Sequence, residues 1–188
     1  SEAEKSEPSY LKNGDNFYLA SYSIAGGSKS LRINKVNSQL QNQWDPAGIT
    51  VYQSFADQHY VNLVPAGDGV AVIWSENRNF IDYDVFLQTY DADGNALLAD
   101  GGVALANVFM KNEYVQSVFP TDNGEFIIVW IEDVWHARDP FAQRFTTNGF
   151  VASGWSFTPI SISMALEDQQ NAVGVSLDDQ GILLVWED

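Results

Sequence analysis

The 188-residue sequence predicts an all-β fold, a partial β-propeller of about three and a half four-stranded antiparallel blades, and three observations carry that prediction. A tryptophan that ends an apolar run returns every 56 residues, at Trp74, Trp130 and Trp186. Each interval holds four short segments rich in Val, Ile, Phe, Tyr and Trp, separated by Gly, Asp and Asn. No stretch carries a 3.6-residue apolar period long enough for a helix.

Residues 1–15 read as a polar N-terminal segment. The unit at about 16–68 is a degenerate copy, with Phe17 to Tyr22 in the tryptophan-strand position, then Leu31 to Val36, Ile49 to Tyr52, and Tyr60 to Val64. Its tryptophan, the acid after it and the later glutamine are missing.

The units at about 69–123 and 124–179 are regular. Val70-Ala71-Val72-Ile73-Trp74 and Phe126-Ile127-Ile128-Val129-Trp130 open them, each followed two residues later by an acid, Glu76 or Glu132. Phe86-Leu87-Gln88-Thr89-Tyr90 and Phe141-Ala142-Gln143-Arg144-Phe145 come next, each with an acid before it (Asp84, Asp139) and a turn glycine after it (Gly94, Gly149). Val103-Ala104-Leu105 or Ile160-Ser161-Ile162 follows, then Tyr114 to Val118 or Ala172 to Val175. Residues 180–188 begin another unit, with Trp186 followed by Asp188.

A lone blade has two apolar faces and buries neither, so blades must stack. If the segment before each Asp/Asn-Gly turn is the innermost strand, the tryptophan strand is second. The count is then 13 strands, grouped three, four, four and two, and the remaining blades or another chain are needed to complete the ring. A β-sandwich also has short, evenly spaced strands, but nothing in it requires the tryptophan period.

Apolar residues make up 45% of the chain, enough for a core. Nine basic residues against 25 acidic ones leave a net charge of −16, which repels phosphate backbones and anionic lipid, so nucleic acid and membrane insertion are not expected. A solvated acidic face that aids solubility accounts for this excess. Without cysteine there are no disulfides, thiolate chemistry or zinc–cysteine sites. Ser1 to Ser9 lack the basic start and apolar stretch of an export signal, and no later apolar run reaches membrane-spanning length.

Trp130-Ile131-Glu132-Asp133, then Arg138-Asp139-Pro140-Phe141-Ala142-Gln143-Arg144-Phe145 and Asn148-Gly149, resembles a repeat of large secreted bacterial surface proteins. That repeat reads Trp-x-Asp, Arg, Asp-x-Tyr-Ala-Gln-Arg, Asp-x-x-Gly. The resemblance covers residues 69–188 well and 16–68 poorly, and Phe86 and Phe141 stand where the family has tyrosine. It implies a propeller-like scaffold in an exported, often multidomain protein with an extracellular, cell-surface or periplasmic location. It implies no reaction and no catalytic residue.

The repeated acids Glu76, Glu132, Asp133 and Asp188 suit a structural role, accepting backbone N–H bonds or pairing with Arg78 and Arg138, because a single binding site needs only one copy. Asp91-Ala92-Asp93-Gly94-Asn95 superficially resembles a calcium loop but lacks its later glutamate and reads as a hairpin turn. No metal and no cofactor is expected. Trp135-His136-Ala137-Arg138 breaks the repeat and places an aromatic beside polar groups, the chemistry that stacks on a sugar face. Arg78 and Tyr83, in the matching loop with Phe80, extend the same surface. Trp135, His136, Arg138, Arg78 and Tyr83 are therefore the candidate ligand-binding residues.

No nucleophile elbow, His-Glu-x-x-His or phosphate loop occurs, and catalytic residues stay unassigned. The leading expectation is a noncatalytic binding or structural module that contacts a protein or glycan partner. The alternatives are part of a glycan-processing enzyme, hydrolase or lyase, and a self-assembling surface component whose open strand edges at Phe17 and Trp186 pair with another chain.

Overall fold

The computed structural model describes residues 8–121, 124–134, 137–163, 165, 166, 168–177 and 181–187. Its strands are β1 (Ser9–Asn13), β2 (Asn16–Ala25), β3 (Ser28–Asn37), β4 (Ile49–Ser54), β5 (Gln58–Ala66), β6 (Gly69–Glu76), β7 (Asp84–Tyr90), β8 (Val103–Ala106), β9 (Asn112–Pro120), β10 (Glu125–Val134), β11 (Ala137–Thr146), β12 (Ile160–Ser161), β13 (Gln170–Ser176) and β14 (Ile182–Glu187). They form three four-stranded antiparallel meanders, β1 to β4, β5 to β8 and β9 to β12, followed by the pair β13 and β14. No helix occurs among the described residues.

The first strands of successive sheets pack on one another, β1 on β5, β5 on β9 and β9 on β13, while the fourth strands make no comparable contact. Sheets that converge at their first strands and fan apart at their fourth are propeller blades, with the first strand innermost. The partial propeller read from the tryptophan period is therefore the fold. One strand escaped that reading: Ser9–Asn13 pairs with β2 from Ser9 opposite Ala20 to Asn13 opposite Asn16, so the first sheet has four strands and the total is fourteen. Its alternation of polar and apolar residues over five positions is too short to stand out against a polar segment. The same pairing closes the edge expected to be open at Phe17.

Burial explains the repeat. Along β6, Val70, Val72 and Trp74 face the first sheet beside Tyr18, Leu31 and Ile33, while Ala71 and Ile73 face the third beside Val115, Ile128 and Trp130. Both faces are covered, so every position of β6 is buried and the strand reads as an unbroken apolar run. In β14, Ile182, Leu184 and Trp186 pack on the third sheet while Leu183 and Val185 are exposed. The same kind of sequence thus shows the period of 2 when only one face is covered.

Trp74 and Trp130 each face the preceding sheet and stack on the phenylalanine opposite, Trp74 on Phe86 at 5.8 Å between centroids and Trp130 on Phe141 at 6.2 Å. The repeated glutamines brace the third strand. Gln88 accepts the amide N–H groups of Thr89 and Leu98 and donates to the Ala99 carbonyl at 2.9 Å, and Gln143 donates to the Ser156 carbonyl at 2.7 Å. Gly94 and Gly149 have positive φ, and a Cβ on either would lie 2.8 Å from Ile49 Cδ1 or 2.7 Å from Val103 Cγ2. The turn glycines thus serve both a left-handed turn and close approach to a neighbouring side chain.

Trp130 is 3% exposed and sits at the centre of the cluster between the second and third sheets. Trp130→Ala is expected to cost about 3–5 kcal/mol in urea unfolding. A loss below about 1 kcal/mol would mean that the tryptophan does not hold the two sheets together.

Candidate functional site

The antiparallel order brings the starts of the first strands, the ends of the second and the starts of the third to one face of the ring. Rows of facing residues run along its lip: Gln58, Glu76 and Asp84 in the second sheet, and Glu113, Glu132 and Asp139 in the third. The acids that follow the tryptophans therefore lie at one level. In the first sheet that level carries Ser23 opposite Ser30.

Glu76 is fully buried and saturated. It accepts Trp74 Nε1 at 3.0 Å, Arg78 Nη2 at 3.0 Å and Ser54 Oγ at 2.8 Å. Arg78 also donates to the Gly101 carbonyl at 2.9 Å, and its guanidinium lies between the Tyr52 and Phe86 rings, 3.9 and 3.8 Å from their centroids. This arginine is thus directed into the seam between the first two sheets. Glu132 is held by Lys111 at 2.6 Å, while Arg138 pairs with Asp133 at 3.1 Å and donates to Gln170 at 3.1 Å.

Nearer the axis lies an arrangement that no single sequence segment displays. Asp57, just before β5, accepts His59 Nε2 at 2.9 Å and the Tyr83 hydroxyl at 3.1 Å, and pairs with Lys29 at 3.3 Å. Burial pushes its carboxyl up, but the hydrogen bonds and charges of His59 and Lys29 outweigh burial and hold it below the ordinary range. His59 and Tyr83 have ring centroids 5.7 Å apart, Tyr83 and Tyr114 5.1 Å, and Tyr60 and Tyr114 5.6 Å. Burial, with Asp133, Tyr60 and Asp57 adding to it and Arg138 opposing, pushes the Tyr114 phenol up to about 12. Carboxylates from two blades, Asp57 and Asp133, thus act on one tyrosine in the middle of an aromatic cluster.

Tyr60 owes its position to a bulge. Between His59 and Asn62 the register of β5 slips against β6, and Tyr60 adopts φ of 55°, uncommon for a bulky residue. Val61 turns into the core while Tyr60 stays 41% exposed. Asn171 has φ of 54° within the corresponding slip of β13, so the bulge belongs to the blade and its side chain varies.

Of the residues singled out from sequence, the structure brings Tyr83 into this cluster and sets Arg138 beside Asp133 at its edge. Arg78 lies in the neighbouring seam, and Trp135 and His136 lie outside the described residues. Sequence reasoning missed Asp57, Tyr60 and Tyr114 and gave His59 no partner. The available signal was positional, since His59-Tyr60 and Tyr114 open equivalent inner strands. The Asp91 carboxylate accepts the N–H groups of Asp93 and Asn95 within its own hairpin, as the turn reading requires. Among the described residues no group of three His, Asp or Glu side chains is arranged to hold a metal ion.

No protein-family model matches this chain, and no curated protein matches it. Several solved structures do. An endo-arabinase from Bacteroides thetaiotaomicron VPI-5482 superposes with a TM-score of 0.53 at 13% identity over 95% of this chain and 68% of that one. A thermostable family-43 glycoside hydrolase gives 0.57 at 11% identity over 86% and 53%. An α-L-arabinanase from Penicillium chrysogenum, complexed with arabinobiose, gives 0.69 at 10% identity over 95% and 58%. At these identities the likeness establishes the propeller fold, and the chain spans between 53% and 68% of their lengths. The surface-protein repeat motif itself finds no support among them. The expectation of a noncatalytic binding or structural module is corrected here. The structures reported above are glycan-cleaving propellers, which favour the glycan-processing alternative over that expectation.

Removing one partner of a buried ionic cluster leaves the other charges uncompensated. Glu76→Ala, which strips the acceptor from Trp74, Arg78 and Ser54, is expected to lower the unfolding free energy by about 3–5 kcal/mol in chemical denaturation. A loss of less than about 1 kcal/mol would show that this hub contributes little.

Proposed function

We propose that this chain is part of a glycan-processing propeller enzyme, a hydrolase whose site lies at the axial end of the inner strands. One arrangement carries the proposal: Asp57 accepts the Tyr83 hydroxyl, Asp133 of the adjacent blade acts on Tyr114, and the rings of Tyr60, Tyr83 and Tyr114 pack on one another as an aromatic floor. Glycoside hydrolysis needs two carboxylates on either side of a sugar ring, and aromatic faces bind the apolar faces of sugars. Asp57, held ionised by His59 and Lys29 with its side chain 42% exposed, suits the role of nucleophile or base. Arg138 borders the floor and, with the Tyr83 hydroxyl, would contact sugar hydroxyls. The likeness to arabinan- and glycan-hydrolysing propellers supports the same reading.

Elimination from a uronate chain requires a cation to neutralise the sugar carboxylate, and the cations near this face are already engaged by acids. Lys29 pairs with Asp57, Arg78 with Glu76, Lys111 with Glu132 and Arg138 with Asp133. With a chain net charge of −16 this favours a neutral glycan and hydrolysis over a lyase reaction. A polymeric substrate of this kind places the protein outside the cytoplasm, at the cell surface, in the periplasm or in the medium.

The test is release of reducing ends from arabinan, galactan, xylan and a polyuronate by the full-length protein. Cleavage of a neutral polymer is expected, with Asp57→Asn and Asp133→Asn each lowering kcat by roughly two orders of magnitude or more. Cleavage of the polyuronate alone, or undiminished activity in both variants, would overturn the proposal.

A further inference from the structure

The seam between the second and third sheets holds a buried acid that the site above does not use. Glu113, the second residue of β9, is 1% exposed. One carboxyl oxygen accepts the Val108 N–H at 2.9 Å, and the other, Oε2, is buried with no hydrogen-bond partner. The acids that act on it come from every side: Asp84 on β7, Asp82 in the loop before β7, and Glu132 on β10, the last paired with Lys111. Beyond them stand Glu76 and Arg78, which act on Asp84, and Asp139 on β11, which faces Glu132 and Lys111.

An ionised carboxylate with an unpaired oxygen in such surroundings is costly, because burial and like charge both oppose it. Burial first, then neighbouring acids, push Glu113 up to about 8 and Asp84 up to about 6. At neutral pH the molecule therefore holds a proton here.

The backbone around Glu113 ties the two sheets together. Glu113 N–H donates to the Tyr83 carbonyl at 2.7 Å, Asn112 Oδ1 accepts the Tyr83 N–H at 3.1 Å, and Val115 N–H donates to Ser75 Oγ at 3.0 Å. Met110 N–H donates to Asp82. Through this stitching the start of β9 fixes Tyr83, whose hydroxyl reaches Asp57 and whose ring packs on Tyr114.

We propose that Glu113 is a positioning residue that acts as a proton latch: as a neutral acid it lets the blade seam close and hold Tyr83 and Tyr114, and as a carboxylate it drives Asp82, Asp84 and Glu132 away and loosens the stitching. The direction of the pH effect follows. A carboxyl whose folded value lies above its unfolded value stabilises fully below the unfolded value, and that contribution is lost as pH rises through the folded one. Asp84 shares this sign, so stability declines from about pH 4.5 upward, and Glu113 accounts for the part of the decline that persists to about pH 8.

Thermal unfolding between pH 4.5 and 9 tests the latch without any ligand. The wild type is expected to lose on the order of 5 °C or more between pH 6.5 and 9. Glu113→Gln, which carries the neutral shape at every pH, is expected to flatten that interval and to leave, below pH 6.5, the shallower decline that Asp84 contributes. Amide exchange gives the local readout, with protection of the Met110 and Glu113 N–H groups falling between pH 6.5 and 8.5 in the wild type and not in the variant. A wild-type Tm that does not fall over pH 6.5–9, an unchanged slope in Glu113→Gln, or loss of protection equal in both proteins would each overturn the proposal. None of these readouts depends on catalysis, so failure of the hydrolase reading and failure of the latch are separate results. If Glu113→Gln fails to fold, Asp84→Asn provides the second variant. By removing the charge nearest in effect to Glu113 it is expected to end the wild-type decline at lower pH and to make it smaller, and an unchanged decline would overturn the latch.

Discussion

A four-stranded sheet with two apolar faces cannot exist in water by itself, and almost everything in this chain follows from that constraint. Each sheet must be covered on both sides by others of its kind. The second strand of a blade therefore carries apolar residues at consecutive positions, Val70 to Trp74 or Phe126 to Ile131, where a one-sided sheet would alternate. The contrast between β6, buried throughout, and β14, buried on one face only, isolates the cause, since the two strands have similar composition and differ in what covers them. The tryptophans, on the second strands, fill the wedge between blades outside the contact of the inner strands, and the phenylalanine beside Trp74 or Trp130 completes the fill.

The same constraint disposes of the charges. Wedges that fill with hydrocarbon over most of their length leave the strand ends of one face for polar groups, and acids gather there because this chain has 25 of them against nine bases. They are used in different ways. Glu76 is saturated by donors and fixes the first seam. Glu113 has too few donors and sits among other acids in the second seam. Asp57 keeps three donors and an exposed side chain at the axis. Burial and donor count, more than residue type, separate a structural acid from a proton store and from a chemically available carboxylate.

How much of this was legible in the sequence depended on whether the signal was periodic. Trp74, Trp130 and Trp186, the glutamines of the third strands and the turn glycines recur because each blade poses the same packing problem, so the fold, the strand phase and the structural bias of Glu76 could be read. Ser9–Asn13 was lost because an inner strand of five half-buried residues has almost no pattern of its own. The candidate site was lost for a different reason. Asp57, Tyr60, Tyr83, Tyr114 and Asp133 come from two blades and four separate segments, and only the convergence of inner strands brings them together. A search for motifs along the chain favours the opposite kind of site, a compact run such as Trp135 to Arg138. Arg78 shows the contrast: its place in a loop beside aromatics suggested a ligand contact, and the structure sets its guanidinium between Tyr52 and Phe86 with Glu76 as its ion-pair partner.

The inner-strand bulge shows how a repeated scaffold makes room for a particular site. Slippage at the start of β5 and β13 puts one residue of each strand in a left-handed conformation that a bulky side chain adopts only at a cost. The slip recurs in β9, where Gln116 is the extra residue and no residue is left-handed, so its origin lies in blade geometry while the left-handed turn is particular to β5 and β13. The scaffold thus supplies the position and leaves the side chain unconstrained by packing. In β13 the position holds Asn171, which donates to Glu187 at 2.7 Å, and in β5 it holds Tyr60, which packs on Tyr114 of the next blade. A position where the inner strand slips, and whose conformation and side chain vary from blade to blade, is where a propeller can differentiate one sector of its axis without disturbing its core.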